Sequence, residues 1–166
     1  MKQLLIALAV LATLSAMPAH AQNGLDDNEC VSPSASVKRN RPDVDGPAVE
    51  VGVAVFLIDL LGIHDSQERF DINFALRLSW HDPRLDYDGL QNCDLTPSDI
   101  WLPQIGVLNQ IDVRDGDWVR IDVDTDGYVL YERRISGSLS AVFELDEFPR
   151  DSQVLPVRLG SLVYGP

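Results

Sequence analysis

Residues 70–80 read FDINFALRLSW. Extended, this run puts Phe70, Ile72, Phe74, Leu76, Leu78 and Trp80 on one face and Asp71, Asn73, Ala75, Arg77 and Ser79 on the other. Alternation of this length predicts a long β-strand with one face in the core. The preceding run, AVEVGVAVFLIDLLGI from Ala48 to Ile63, alternates through Val49, Val51, Val53, Val55 and Leu57 and predicts another strand with one buried face. HDSQER between the two is a polar turn.

Downstream, Pro83, Gly89 and Pro97, set among many aspartates, predict a loop from His81 to Asp99. Short strands are expected at 100–102 and 105–109, and alternating ones at 118–123 and 128–135. Further apolar segments run over 139–145 and 154–163, and no stretch holds the 3.6-residue period of a long helix. Many short strands with Gly, Pro and Asp between them predict an all-β fold, an antiparallel β-sandwich of immunoglobulin-like Greek-key type.

The amino-terminal residues MKQLLIALAVLATLSAMPAHAQ carry Lys2, an apolar run from Leu4 to Met17 and the small-residue pattern Ala19-His20-Ala21. Residues 1–21 read as a signal peptide. The apolar run falls short of the ~18 to 20 residues that span a bilayer. The chain is therefore expected to be exported, to the periplasm or the outer face of a bacterial inner membrane. Residues 22–47 are polar, rich in Pro, Ser, Asn and Asp, and read as a flexible arm, with the sandwich domain over 48–166.

Thirteen Lys plus Arg stand against 26 Asp plus Glu, a net charge of −13, which repels nucleic acid and suits a solvated surface. No Gly-rich phosphate loop is present and no cofactor is expected. Cys30 and Cys93 can pair as one disulfide in an oxidising compartment, and without a CxxC they make no zinc site. Asp122, Asp124 and Asp126 with Gly127 have the spacing that opens an EF-hand loop, but its twelfth position is Arg133 rather than an acid. The flanks alternate as strands, so Asp126-Gly127 reads first as a hairpin turn and the three aspartates as a weak calcium candidate. Ser79, His81 and Asp82 lie too close along a strand to converge as a hydrolase triad, and no enzyme activity is expected.

Three motifs stand in order: WHDPRL (80–85), IWLP (100–103) and FELDEFPRDSQ (143–153). Together they resemble the extracellular ligand-binding domain of pentameric ligand-gated ion channels, the Cys-loop receptor family. Trp80, Asp82 and Arg84 match the first motif, Trp101 and Pro103 the second, and Phe148, Pro149 and Asp151 the signature loop. The two cysteines that close this loop in animal receptors fall at Ala141 and Leu155, so the match is to the prokaryotic type. Trp80 and Trp101 are expected to pack in the core, and Asp82 with Arg84 to form a pair that orders the following loop.

The resemblance implies ligand recognition coupled to gating in a homo-pentamer, with a small molecule bound between subunits. The family's domain continues with further strands, a capping hairpin and four membrane helices, whereas this sequence stops at SLVYGP. The sandwich is therefore expected to be incomplete at its C-terminus, meeting the membrane only through a pore domain absent from this chain. A soluble periplasmic binding or assembly module derived from that domain is the alternative.

By the same resemblance, the aromatic positions of the ligand site fall at Ala75, Leu108 and Leu162, none of them aromatic, which argues against a quaternary-ammonium cage; these three and Asn109, beside Leu108, are ligand-binding candidates. Arg77, Leu130, Glu132 and Tyr164 fall near the implied subunit boundary and are candidates to line a different pocket.

Overall fold

The computed structural model describes residues 32–86, 90, 93–144, 146, 150 and 152–163. The predicted leader, Cys30, Phe148, Pro149, Asp151 and Tyr164 lie outside the described residues. In chain order the elements are a five-residue helix α1 (Ala35–Arg39) and strands β1 (Gly52–His64), β2 (Arg69–His81), β3 (Ile105–Val107), β4 (Gln110–Val123), β5 (Tyr128–Ser140) and β6 (Leu159–Ser161). The long strands form one antiparallel sheet in the order β1-β2-β5-β4, and β3 pairs with β6 in a second, two-stranded sheet.

The core lies on the inner face of β2 and β5. The alternating residues of β2 supply Phe70, Ile72, Phe74, Leu76, Leu78 and Trp80, and β5 supplies Val129, Tyr131, Ile135 and Leu139, all buried. Val107 of β3 and the irregular segment holding Leu85, Leu90, Ile100 and Trp101 close over them, with Leu159 of β6 packed against the same cluster. Each such side chain taken from water stabilises the fold by roughly 1.5–3 kcal/mol, so this two-layer packing is what holds the sandwich together.

Three expectations need correction. The inward row of β1 has the predicted periodicity but is not buried: Val53, Val55, Leu57, Leu60 and Ile63 are 41–65 % exposed, although their partners on β2 are buried. Alternation decides which face turns inward and says nothing about whether a second layer covers it. Residues 100–102 form no strand, because Ile100 and Trp101 are apolar for packing and Pro103 removes a ladder donor. Within the polar arm, α1 is ordered and anchored by Val37, which is buried in the core.

A charged contact also fastens α1. Lys38 Nζ donates to Asp99 Oδ1 at 3.0 Å, while Asp99 Oδ2 accepts from Thr96 N at 2.9 Å and from Thr96 Oγ1 at 2.6 Å. These bonds, the Thr96 hydroxyl first and then its N–H and Lys38, hold the Asp99 carboxyl down at about 2, against an ordinary value of 3.8. A depressed folded pKa contributes stability above the unfolded value that is lost as pH falls through the folded one. Urea midpoints should therefore drop between about pH 4 and pH 2, and Asp99→Asn should flatten part of that slope. An unchanged slope in the variant would remove this contact from the acid response.

Candidate functional site

On the outer face of the large sheet the register sets Ala54, Arg77, Glu132 and Arg120 side by side across β1, β2, β5 and β4. Arg77 donates from Nε (2.7 Å) and Nη2 (2.6 Å) to the same oxygen of Glu132. The Phe56 ring, one outward position further along β1, lies 4.7 Å from the guanidinium carbon. Arg77 is thus held between a carboxylate at its edge and an aromatic ring at its face, a charge-assisted pair plus a cation–π contact. Glu132 is 14 % exposed and Arg77 42 %, so the acid end is shielded and the basic end faces solvent.

The other predicted ligand residues divide around this group. Ala75 is buried beneath it, opposite Phe56, and Leu130 lies one outward position from Glu132, half-buried. Leu108 and Leu162 are exposed on the small sheet, where they cross over glycines: Leu162 covers Gly106 and Leu108 covers Gly160. Leu162 shares a cavity with Arg133 and Asp115, and Arg133 is the strand neighbour of Glu132, so its side chain points to the opposite face. Within one chain, Leu162 and the Arg77–Glu132 pair therefore lie on opposite sides of β5. Asn109 is buried and its amide is consumed by backbone groups, which makes it a structural residue. Phe56 was missed in the sequence because its strand was read through its valines; its place on the polar face was the available signal.

The motif residues have structural work. Trp80 and Trp101 are buried and meet edge to face, centroids 6.0 Å apart at 88°. Asp82 is fully buried and takes Arg84 Nε at 2.8 Å on one oxygen and Arg84 Nη2 at 2.8 Å on the other. Pro103 is buried beside Trp101. At the base of the signature loop the Gln153 amide donates to Glu144 O (2.8 Å) and accepts from Glu144 N (3.3 Å). Cys93 is disulfide-bonded, and Cys30 is the one other cysteine in the chain.

The calcium candidate does not assemble. Asp122 pairs with Arg120 at 2.7 Å, and Asp124 Oδ1 accepts from the N–H groups of Asp126 and Tyr128 inside its own turn. Gly127 holds φ +78°, and a Cβ there would stand 2.5 Å from Asp82 O, so the Asp126-Gly127 turn is fixed by close packing. Among the described residues no three acidic, His or Cys side chains are grouped to hold a metal.

His81 contacts Asp126 O and Asp82 turns to Arg84, so the Ser79, His81, Asp82 run makes no triad. At the other end of the sheet, Asp71 accepts from Ser138 Oγ at 2.6 Å and lies 2.9 Å from His64 Nε2. Those bonds, Ser138 first, hold the Asp71 carboxyl below its ordinary range. Asp71 stands between Ser138 and His64, so this is a tie of three strands and not a nucleophile with its base.

The family model for the neurotransmitter-gated ion-channel ligand binding domain matches residues 35–165. A proton-gated ion channel of Gloeobacter violaceus is 34 % identical over 122 residues, 71 % of this chain and 34 % of that protein. The gamma-aminobutyric acid receptor subunit rho-2 of Mus musculus is 31 % identical over 133 residues, 75 % of this chain and 29 % of that protein. The chain thus spans about a third of the length of these relatives, within the part that the family model describes. Motifs, sheet and family match agree: this chain belongs to the neurotransmitter-gated ion-channel ligand-binding domain family.

Proposed function

We propose that this chain is the exported, ligand-sensing part of a ligand-gated ion channel, and that it works in a ring of like subunits with a small molecule bound between neighbours. The observation that carries this reading is the division of the candidate residues. Arg77 and Glu132 lie on one side of β5 and Leu162 against the other, so one ligand meets both sets only where two subunits adjoin. The uncovered apolar row of β1 adds a surface that a lone soluble chain rarely leaves bare. Gating belongs to this function only through a pore-forming part outside the present sequence, and the membrane is met there.

The ligand of such a site is not a quaternary ammonium held by an aromatic cage, because Phe56 is already occupied by Arg77. A ligand that engages Arg77 must compete with Glu132 for its N–H groups.

Cysteine trapping tests the ring. The pair Glu132→Cys and Leu162→Cys, oxidised with copper phenanthroline, should give a covalent ladder up to five chains on non-reducing gels, with neither single variant passing a dimer. A double variant that stays monomeric at concentrations where light scattering reports oligomers would sink the shared-site geometry.

A further inference from the structure

A cavity lies apart from the Arg77–Glu132 group. It opens between the segment leading into β1 and the segment around the start of β3, holds about 490 Å³, and is walled mainly by Ala48, Val49, Val51, Trp101, Pro103 and Ile105, with Gln104 and Ser161 as its neutral polar members. A volume of this size suits a small organic molecule. Its walls are tied down on both sides: Trp101 packs on Trp80, Ile105 N donates to Pro103 O at 2.9 Å, and Ile105 O accepts from Arg133 Nη2 at 3.1 Å.

Arg41 stands at the edge of this apolar space. Its guanidinium donates to three backbone carbonyls, Val44 O at 2.7 Å, Pro47 O at 2.8 Å and Gly46 O at 3.1 Å. Those bonds set the turn that leads into the Ala48–Val51 wall. All three acceptors are neutral backbone oxygens, and among the described residues no carboxylate lies in salt-bridge reach of Arg41, as is also so for Arg39, Arg69, Arg134 and Arg158. What sets Arg41 apart is its place: a guanidinium bonded only to neutral oxygens stands in the lining of a mainly apolar cavity.

We propose that this cavity binds small amphiphilic anions, an aliphatic or flat apolar body between Trp101 and the valines with a carboxylate toward Arg41. The apolar body replaces water on the valine, proline and tryptophan walls, and the carboxylate supplies a counter-charge to a guanidinium that no carboxylate pairs with among the described residues. This site is separate from the Arg77–Glu132 pair, which lies on the outer face of the sheet, and does not depend on the ring proposed above.

The test uses three ligands of equal chain length on the mature protein, read by calorimetry and tryptophan fluorescence. Octanoate should bind, 1-octanol at least about tenfold more weakly, and octyltrimethylammonium not detectably. Ala48→Trp, which fills the cavity mouth, should abolish octanoate binding with an unchanged circular dichroism spectrum and thermal transition. Glu132→Gln should leave octanoate binding unchanged, which separates this cavity from the candidate ligand site. Equal affinity for the anion and the alcohol, no binding of octanoate at about 1 mM, or binding undiminished in Ala48→Trp would each overturn the proposal.

Discussion

Arg84→Ala should lower the unfolding free energy by about 3–5 kcal/mol, because it strands a carboxylate that the fold has taken entirely out of water. Asp82 is 0 % exposed, and Arg84 supplies both its oxygens, with Nε and the backbone N–H on one and Nη2 on the other. The same Nη2 reaches Asn40 O at 2.9 Å, so the side chain also ties the arm to the loop after β2. A domain of this size has roughly 5–15 kcal/mol in hand, so the loss would take a large share of it.

The comparison that isolates the mechanism is Asp82→Asn. It keeps an acceptor for the Arg84 backbone N–H and removes the buried negative charge, so combined with Arg84→Ala it should cost less than Arg84→Ala alone. Urea unfolding of the three variants decides the matter. A single-variant cost below about 1 kcal/mol would mean that the carboxylate is solvated after all.

Asp82 and Arg84 were legible in the sequence because they stand two residues apart in a motif. The sandwich was legible for a related reason: the alternation of 70–80 survives in β2, where every inward apolar side chain is buried. What the alternation does not carry are contacts with partners far along the chain. The polar arm reads as structureless because its anchors are a single Val37 and a lysine whose partner, Asp99, lies 61 residues away. β1 was credited with a buried face because periodicity reports orientation, whereas cover is supplied by other segments.

The candidate site shows the same limit. The resemblance puts Arg77 and Glu132 near the same subunit boundary, but their meeting depends on the β2–β5 register, and they stand 55 residues apart. The Asp126-Gly127 turn sets β4 against β5, a local matter that its dipeptide announces. No such mark sets β2 against β5. Phe56 has its signal in its outward position, but the arginine that covers it is set by the β1–β2 register. Arg41 looked like one more charge in a polar arm; only the fold puts it at the edge of a cavity.

Asn109 is the sharpest case, since the family resemblance offered it as a ligand residue and the fold uses it as a rivet. Its Nδ2 donates to Ser140 O and to Pro156 O, both at 2.8 Å, and its Oδ1 accepts from Arg158 N at 3.0 Å. Three segments meet there: the β3–β4 turn, the end of β5 and the approach to β6. Asn109→Ala would take the partner from two partly buried carbonyls and one partly buried N–H, and with partial rehydration the net loss should be about 1–3 kcal/mol.

Asn109→Asp adds a pH signature that a ligand residue would not give. The new carboxylate keeps the acceptor for Arg158 but turns an oxygen toward two carbonyls, so its ionised form is disfavoured and its folded pKa lies above the unfolded one. Stability lost by this route is small below the unfolded pKa, near 3.9, and grows as pH rises through neutrality. Urea midpoints of Asn109→Asp should therefore fall from pH 4 to pH 8 relative to the parent, while Asn109→Ala stays parallel to it. If Asn109→Ala costs less than about 1 kcal/mol and the aspartate variant shows no such slope, the amide is not holding these segments together, and its place in the ligand set reopens.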